Sequence, residues 1–343
     1  MKKATAEQSN KKKLWRSILI GAGSFLVVLV VGFVGLFFYF FGGLQVEELD
    51  DEDLGINSDY HSSIQQEKKI SNIALFGIDS RAGGSSDKGL SDAVIILSIN
   101  HQTNKIKLIS VMRDSYVQIK GKGDKLTHAY GYGGAALAVK TLNENFNLDI
   151  TEYVTVNYEQ MAAVVDAVGG ITIDVTEAER RQINDNIREF YKDKGDFLYK
   201  SGEGIQLSGQ QAVGFARIRK IDSDQARTGR QREVLMAIFD KAMNMNVLRY
   251  PALAKAMIPM VTTSFTYSDI LEFLPIMTSG EAVIDETMIP GEKDNPKNAM
   301  IDGIYYMQYD LDLATQHIHD FIYNDIHPDA EEIVEESGDA SIE

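Results

Sequence analysis

A short basic window near residue 220 interrupts a chain that is otherwise acidic, with a formal net charge of -16. The window sets six basic residues against two aspartates, namely Arg217, Arg219, Lys220, Arg227, Arg230 and Arg232 against Asp222 and Asp224. In a strand, Arg217 and Arg219 would project from one face. In a helix, Arg227, Arg230 and Gln231 would share a face. Converging guanidinium groups suit a phosphate or diphosphate, because arginine pairs with its oxygens and keeps its charge.

The composition narrows the classes of ligand. The acidic balance argues against general nucleic-acid binding, because a DNA-binding protein gathers positive charge over a broad face. The basic window is too small for a duplex, but its size suits a small phosphorylated ligand. Taken alone, the window also allows a solvated basic patch, or arginines paired with carboxylates elsewhere. The chain has no cysteine, which excludes disulfides, thiol catalysis and thiolate zinc sites.

Two aspartates adjoin predicted buried strands. Asp79 follows the first strand, and Asp92 stands at the start of the second. Two carboxylates with few other hard ligands suit Mg²⁺, which keeps several waters and bridges to substrate phosphates. Each aspartate taken alone could instead be a turn or cap residue. Arg81 and Arg113 strengthen the metal interpretation, because ligands bind at strand ends in open α/β sheets.

Strands mixed with helices along the chain predict one α/β domain that positions these residues. The predicted strands are 73–76, 93–99, 105–111, 153–158, 171–175 and a last one that ends at Ile289. The predicted helices are 135–145, 158–168, 208–216, one from the arginine window to Phe239, 250–260, 267–278 and 311–323. The short link 101–104 predicts a hairpin, and 176–204 is expected to be loop with a short helix.

An uncharged apolar run from Ser17 to Val46 is longer than the ~20 residues that a helix needs to cross a bilayer. A cleaved signal peptide is the alternative, but its apolar core is usually shorter and ends in small residues, whereas this run carries several aromatic residues near its end. Lysines precede the run and carboxylates follow it, which places the N-terminus in the cytoplasm and the rest outside. The predicted segments are a basic cytoplasmic tail (1–16), a transmembrane helix (17–46), a polar stalk (47–69), the folded domain (70–328) and an acidic disordered tail (329–343).

Six short motifs follow one another along the chain. They are Gly77-Ile78-Asp79-Ser80-Arg81, Ser91-Asp92, Met112-Arg113-Asp114, Lys125 to Tyr130 with Gly133-Gly134, Val168-Gly169-Gly170, and Arg217-Ile218-Arg219 followed by Arg227 to Gln231. In this order they resemble the LytR-CpsA-Psr family of membrane-anchored cell-wall enzymes. The likeness covers about residues 70–240, and the predicted N-terminal span also fits the family.

The resemblance implies a phosphotransferase. Such an enzyme moves a glycopolymer phosphate, of teichoic acid or capsule type, from a polyprenyl diphosphate lipid to a peptidoglycan hydroxyl. The expected fold is a single extracytoplasmic α-β-α domain with a mixed central sheet, preceded by one transmembrane helix. The expected partners are the lipid-linked glycopolymer, peptidoglycan and the membrane, with no nucleic acid.

The resemblance also implies roles for individual residues. Asp79 and Asp92 are expected to hold Mg²⁺ or Mn²⁺. The diphosphate is expected to be bound by Arg113, Arg217, Arg219, Arg227 and Gln231, with Arg81 beside them. Arg113 and Asp114 are the catalytic candidates, and Asp114 is either the base for the acceptor hydroxyl or a structural partner of Arg113. His128 is a further candidate for the base, or a satisfied core residue.

Three positions depart from the family pattern. Leu90 stands where many members have an arginine, which removes one phosphate contact unless Lys88 replaces it. Met112 and Gly229 stand where proline and glutamate are usual, and both changes are expected to affect the backbone more than the chemistry.

Three other functions compete with the transferase. A non-catalytic module that binds polyprenyl lipids would need the arginines but not the aspartate pair. A polyprenyl diphosphate hydrolase would use the same site with water as the acceptor. A transcriptional attenuator is opposed by the predicted orientation, which leaves only a short basic tail in the cytoplasm. For the lipid tail, helices around 234–239 and 252–260 are candidates to line an apolar slot, although a core-facing helix predicts the same residues.

Overall fold

A computed structural model describes residues 45–47, 49, 54–57, 69–79, 89–266, 269, 272–273, 275–276 and 282–329. The predicted span up to residue 44, Arg81, Lys88 and the tail from 330 lie outside these residues. Among the helices of the described residues, none combines the length and the apolar character needed to cross a membrane.

The strands of the described residues are numbered in chain order. They are β1 (Gln45–Val46), β2 (Ile70–Ile78), β3 (Ser91–Asn100), β4 (Lys105–Val111), β5 (Tyr116–Ile119), β6 (Lys122–Lys125), β7 (Glu152–Asn157), β8 (Ile171–Val175), β9 (Gly202–Leu207), β10 (Thr262–Thr263), β11 (Val283–Ile289), β12 (Lys297–Ile301) and β13 (Ile304–Gln308). The α-helices are α1 (Leu126–Phe146), α2 (Tyr158–Ala167), α3 (Glu177–Tyr191), α4 (Gly209–Ala216), α5 (Asp224–Met243), α6 (Tyr250–Met257) and α7 (Leu311–Asn324).

A seven-stranded mixed sheet forms the centre of the domain, in the order β1-β10-β7-β2-β3-β4-β11. Strands β2 and β7 are parallel, as are β4 and β11, while β3 runs antiparallel to both of its neighbours. The C-terminal ends of β2, β4, β7 and β11 therefore share one edge with the start of β3. We call this edge the charged edge, because the predicted site residues follow these strand ends. The predicted hairpin between β3 and β4 is confirmed.

Successive side chains of a strand point to opposite faces, and β2 shows how this builds two helical layers. Phe76 and Ile78 pack in a core with Leu137 of α1 and Phe321 of α7. On the other face, Leu75 packs with residues of α5. The sheet thus lies between helices on both sides, as the predicted α-β-α fold requires.

Local sequence signals explain where the helices begin and break. The side chain of Asn157 accepts a hydrogen bond from the Gln160 N–H, and the Gln160 side-chain oxygen accepts one from the Asn157 N–H. This capping box starts α2 directly after β7. Helix α1 contains a break at Gly133 and Gly134, where Gly134 has φ of 64°. Glycine adopts this conformation without the steric cost that a side chain would add.

Residues 176–204 correct the sequence prediction, which expected loop with only a short helix. They contain the 15-residue helix α3, started by a capping box between Thr176 and Glu179. Ile183 and Ile187 are spaced four apart and are buried. This apolar stripe is narrow because the rest of the helix is charged, and the charges concealed the periodicity.

The folded unit begins earlier than Ile70. Gln45–Val46, at the end of the predicted span, pairs with Thr262–Thr263 at the edge of the sheet. Leu54, within the predicted polar stalk, is buried in the core on the α1 side. These parts of the predicted span and stalk therefore pack on the domain. The polar composition of the stalk did not predict this packing.

Candidate active site

A bulge between β2 and β3 presents Asp92 at the charged edge. Gly77 pairs with Ala93, but the next residue, Ile78, pairs with Ser91, so Asp92 is the extra residue on β3. A bulge of this kind redirects one side chain. Asp79 follows Ile78 on the neighbouring strand, and the sheet therefore places the two predicted aspartates at the same point.

Asp92 is buried among cationic and hydroxyl groups. Its Oδ1 lies 2.5 Å from Arg113 Nη1, and its Oδ2 accepts a hydrogen bond of 3.1 Å from the Tyr158 hydroxyl. Arg219 Nη2 lies 3.3 Å from Oδ2. Burial alone would raise the pKa of Asp92, but Arg113, Arg227 and Arg219 outweigh it and hold that pKa below its usual value. The carboxylate is therefore ionised at neutral pH.

Asp79 supplies an unsatisfied anionic oxygen. Its Oδ1 is buried and has no hydrogen-bond partner among the residues that the structure describes. A buried, unpaired carboxylate oxygen next to a second carboxylate fits a divalent cation, because such an oxygen is costly without a partner. The described residues contain no group of three or more histidine, cysteine or acidic side chains that could hold a metal, so a cation here would complete its shell with water and phosphate.

Arg113 follows β4 and is surrounded by carboxylates. Its Nε lies 3.3 Å from Asp114 Oδ2 and 3.5 Å from Asp224 Oδ2. Burial would lower the pKa of Arg113, but Asp224, Asp92 and Asp114 raise it above its usual value. Lys125 Nζ lies 2.7 Å from the other oxygen of Asp114. Asp114 therefore has a cation at each oxygen. Of the two roles that the sequence left open, this arrangement favours a structural partner of Arg113 over a base.

Arg217 and Arg219 do not lie in a strand, which corrects the first interpretation of the window. Helix α4 ends at Ala216, and the Arg217 N–H donates to Val213 O at 3.2 Å. Ile218 is fully buried between the two arginines. Because Ile218 is buried and the two arginines are not, buried and unburied residues alternate here without strand pairing.

Two aromatic rings hold the Arg217 guanidinium. Its central carbon lies 3.7 Å from the ring centroid of Phe190 and 4.6 Å from that of Tyr158. Arg217 Nη1 is buried and lacks a hydrogen-bond partner in the described part of the chain. Stacking of this kind fixes the plane of a guanidinium without using its donors, so these donors remain available for a ligand.

Arg227 is the largest fully buried side chain of the described residues. Its Nη2 lies 3.0 Å from Asp224 Oδ1, while Nε and Nη1 find no hydrogen-bond partner within the described ranges. Burial and then Arg113 lower the pKa of Arg227, but an arginine remains charged in a protein. A buried charge with free donors is unfavourable until an anion joins it.

The remaining members of the window do not join this group. Arg230 pairs with Glu179, at 3.0 Å, and with Asp222. Arg232 pairs with Glu286 at 2.7 Å. The sequence predicted that Arg227 and Arg230 share one helix face at the site. Instead, Arg227 lies at the site and Arg230 forms an ion pair with Glu179 of α3.

An apolar cavity of about 310 Å³ opens beside the charged edge, beneath the sheet face opposite α1. Asp92, Tyr158 and Gln231 lie in its lining. Apart from Asn157 and Gly77, most of the other lining residues are apolar side chains from the sheet and from helices α2, α4, α5 and α6, including Leu75, Ile95, Leu97, Val154, Met161, Val213, Val234, Leu235, Ile238, Phe239 and Met257. The lining includes Val234, Leu235, Ile238 and Phe239 of α5 and Met257 of α6, which are among the residues that the sequence suggested for an apolar slot.

Sequence reasoning missed three residues of the site. Tyr158 was placed at a helix start but given no role, although it links Asp92 and Arg217. Asp224 stood in the window as a counter-charge, but its pairing with Arg113 depends on the tertiary fold. Phe190 carried no usable signal, because it reaches the site from α3. Arg81 lies outside the described residues, so its assignment stays a prediction.

Comparison with known proteins places these features in context. A sequence model described as the LytR_cpsA_psr family matches residues 40–320. A protein of Oceanobacillus iheyensis named polyisoprenyl-teichoic acid–peptidoglycan teichoic acid transferase TagU is 36% identical over 248 residues, covering 69% of this chain and 72% of that protein. A Bacillus cereus protein of the same name is 32% identical over 308 residues, covering 86% and 92%.

A solved structure also resembles this chain. The structure titled "TagT bound to LIIa-WTA" is 28% identical, with a TM-score of 0.60, and the match covers 75% of this chain and 90% of that one. The family match extends further in both directions than the motifs between residues 70 and 240.

Proposed function

The chain belongs to the LytR_cpsA_psr family, and on this basis we propose that it is a membrane-anchored phosphotransferase. It transfers a glycopolymer phosphate from a polyprenyl diphosphate lipid to peptidoglycan. The relatives named teichoic acid transferases support a polymer of teichoic acid type. The apolar run 17–46 supports a single anchor with the domain outside the cytoplasm.

One observation carries the proposal: guanidinium donors without partners lie beside an apolar cavity. Arg217 and Arg227 keep buried donors free, and Asp92 and Gln231 stand at the cavity. A polyprenyl diphosphate has two parts that match these two features, a strongly anionic head for the arginines and an apolar tail for the cavity. The arginines would bind the head through paired charged hydrogen bonds, and the cavity would receive the first part of the tail.

The reaction needs positioning and charge neutralisation more than covalent help from the protein. The acceptor hydroxyl attacks the phosphorus next to the polymer and forms a new P–O bond. The P–O bond to the polyprenyl phosphate breaks, and the leaving group keeps the electron pair and its negative charge. Arg113, Arg217 and Arg227 stabilise that charge, while the proton of the hydroxyl passes to a base that we leave unassigned. Asp114 holds Arg113 in place.

We further propose that Asp79 and Asp92 hold Mg²⁺ or Mn²⁺ when donor is present. The unpaired Asp79 oxygen supports this assignment. Asp79 and Asp92 would hold the cation, which would supply charge neutralisation for the phosphate oxygens. Asp92 also pairs with Arg113 and Arg219, so the same carboxylate would connect the cation to the arginine cluster.

Reconstitution with a defined polyprenyl diphosphate donor tests the function. The purified domain is mixed with labelled donor and peptidoglycan, with and without Mg²⁺, and the label is followed into three pools. Label on peptidoglycan supports the transferase, and label in free polymer phosphate supports the hydrolase. Donor that is bound but unchanged, under conditions in which a related transferase is active, would favour the lipid-binding module.

A further inference from the structure

A group of tyrosine side chains lies beside the charged edge on the α1 side of the sheet. We call Tyr132, Tyr305 and Tyr306 the tyrosine platform. Tyr132 is 62% exposed and Tyr305 is 37% exposed, while Tyr306 is buried beneath them. The Tyr132 hydroxyl donates to Asp124 Oδ2 at 2.7 Å, and Lys125 Nζ lies 5.7 Å and 5.8 Å from the ring centroids of Tyr305 and Tyr306. Exposed aromatic faces thus surround two charged groups.

Short contacts connect the platform to the reacting site. Lys125 Nζ lies 2.7 Å from Asp114 Oδ1, and the other oxygen of Asp114 lies 3.3 Å from Arg113 Nε. The Thr127 N–H donates to the Arg113 carbonyl at 2.9 Å, so the start of α1 is attached directly to the segment that carries Arg113. Lys125 and Asp114 therefore connect the platform to Arg113.

Leu90 lies against α1 next to Tyr132 of the platform. Leu90 is 44% exposed, and a Cβ at Gly131 would lie 3.1 Å from one of its methyl groups. Gly131 immediately precedes Tyr132, and the Asp79 N–H donates to the Leu90 carbonyl at 3.4 Å. An exposed leucine thus stands between Asp79 and the platform.

The platform and the apolar cavity lie on opposite faces of the sheet. On β2, Leu75 packs with residues of α5, which lines the cavity, whereas Phe76 and Ile78 border the cavity but pack in the core with residues of α1. In phosphoryl transfer, the attacking and leaving oxygens are roughly in line. If the lipid leaves toward the cavity, the acceptor must approach from the face that carries the platform.

We propose, building on the transferase function, that the tyrosine platform together with Leu90 binds the saccharide chain of the acceptor. The rings of Tyr132 and Tyr305 stack on the C–H faces of pyranose rings. Asp124, His128 and Lys125 offer hydrogen bonds to the hydroxyl and amide groups of the sugars. A mostly aromatic surface with a few convergent polar groups suits a carbohydrate, whereas the lipid has its own dry cavity.

Direct binding tests the inference without the donor. An N-acetylglucosamine oligosaccharide is titrated into the full domain, and binding is followed by calorimetry and by chemical shifts. The double variant Tyr132→Ala/Tyr305→Ala should bind about tenfold more weakly, because two stacking faces are lost. Tyr132→Phe/Tyr305→Phe keeps both rings and should bind within about threefold of wild type. Tyr199→Ala removes a tyrosine that is 83% exposed and should bind like wild type.

The transfer assay supplies the second readout. The acceptor concentration for half-maximal rate should rise about tenfold in the alanine double variant, with donor affinity unchanged. If wild type transfers polymer and the double variant keeps the wild-type acceptor dependence, the inference is wrong and the transferase function stands. If wild type transfers nothing, the titration decides alone, and equal binding by wild type and the alanine double variant would overturn the inference.

Discussion

The guanidinium of Arg217 is stacked on the ring of Phe190, with 3.7 Å between its central carbon and the ring centroid. Phe190 belongs to α3 and Arg217 follows α4, so the contact joins two helices, and Arg217 also lies over Tyr158, which lines the cavity. The ring fixes the guanidinium plane and leaves a buried donor free. This contact makes Phe190 a positioning residue for the diphosphate.

Loss of that ring should weaken donor binding. We expect Phe190→Leu to raise the donor dissociation constant by about 2–30-fold, because a cation–π contact contributes about 0.5–2 kcal/mol. Phe190→Tyr keeps the ring and should restore most of the affinity. Donor titrations with melting curves check this, since Phe190 is partly exposed and its loss should change the melting temperature little. Unchanged donor affinity in Phe190→Leu would contradict the positioning role.

The two aspartates should behave as one unit. Asp79→Ala and Asp92→Ala should each nearly abolish transfer and the response to Mg²⁺. The double variant should be little worse than either single variant, because residues that act together are not additive. Binding of Mn²⁺, followed by electron paramagnetic resonance with a donor analogue present, gives a readout besides activity. If both single variants keep wild-type transfer and metal response, the metal assignment is wrong.

The ionisation of Asp92 should appear in the pH dependence of stability. Its pKa is lowered in the folded protein, so its stabilising effect is present above the unfolded pKa and is lost as pH falls through the folded one. Asp92→Asn should therefore cost about 1.5–3 kcal/mol of unfolding free energy at neutral pH. The difference from wild type should narrow below about pH 4. Denaturant melts from pH 7 to pH 3 measure this, and a constant difference would count against the ion-pair assignment.

A buried lysine far from the site should affect stability alone. Lys107 Nζ donates to Phe321 O, to Ile322 O at 3.1 Å and to Asp325, and thereby satisfies the last turn of α7. Lys107→Met should destabilise the fold by about 1–3 kcal/mol by leaving carbonyls without a donor, with transfer per folded molecule unchanged.

The matched control for that variant is Lys105→Met. Lys105 pairs with the same Asp325, at 2.9 Å, but its side chain is 39% exposed, against 5% for Lys107, so its loss should cost less than about 1 kcal/mol. Chemical denaturation compares the two variants. Equal losses would show that burial of the Lys107 amine is not what stabilises α7.

The sequence predicted the parts of the site that depend on order along the chain. Asp79, Asp92 and Arg113 stand next to strands, and strand ends meet at one sheet edge, so their convergence could be inferred. The bulge that redirects Asp92 could not, because it depends on the pairing of Gly77 with Ala93.

Features made by contacts distant in sequence were missed for the same reason. Helix α3 carries so much charge that its narrow apolar stripe was read as loop, and Phe190 was lost with it. The alternation of Arg217 and Arg219 around Ile218 suggested a strand, but these residues follow α4 outside any strand, with Ile218 buried between them. The free donors of Arg227 depend on which carboxylates fold against it, and composition does not contain that information.

The most direct measurement compares the binding of a short prenyl diphosphate with that of the corresponding prenyl alcohol. If the arginine cluster holds a diphosphate whose tail enters the cavity, wild type should bind the diphosphate at least about a hundredfold more tightly, given charged hydrogen bonds of about 1.5–3 kcal/mol each. Arg217→Ala and Arg217→Lys should both lose much of that preference, because a point charge does not copy the planar fork. The surface variant Arg181→Ala, whose side chain is 73% exposed, should keep it. Equal affinity of wild type for the alcohol and the diphosphate would contradict the assignment of the arginine cluster to the diphosphate.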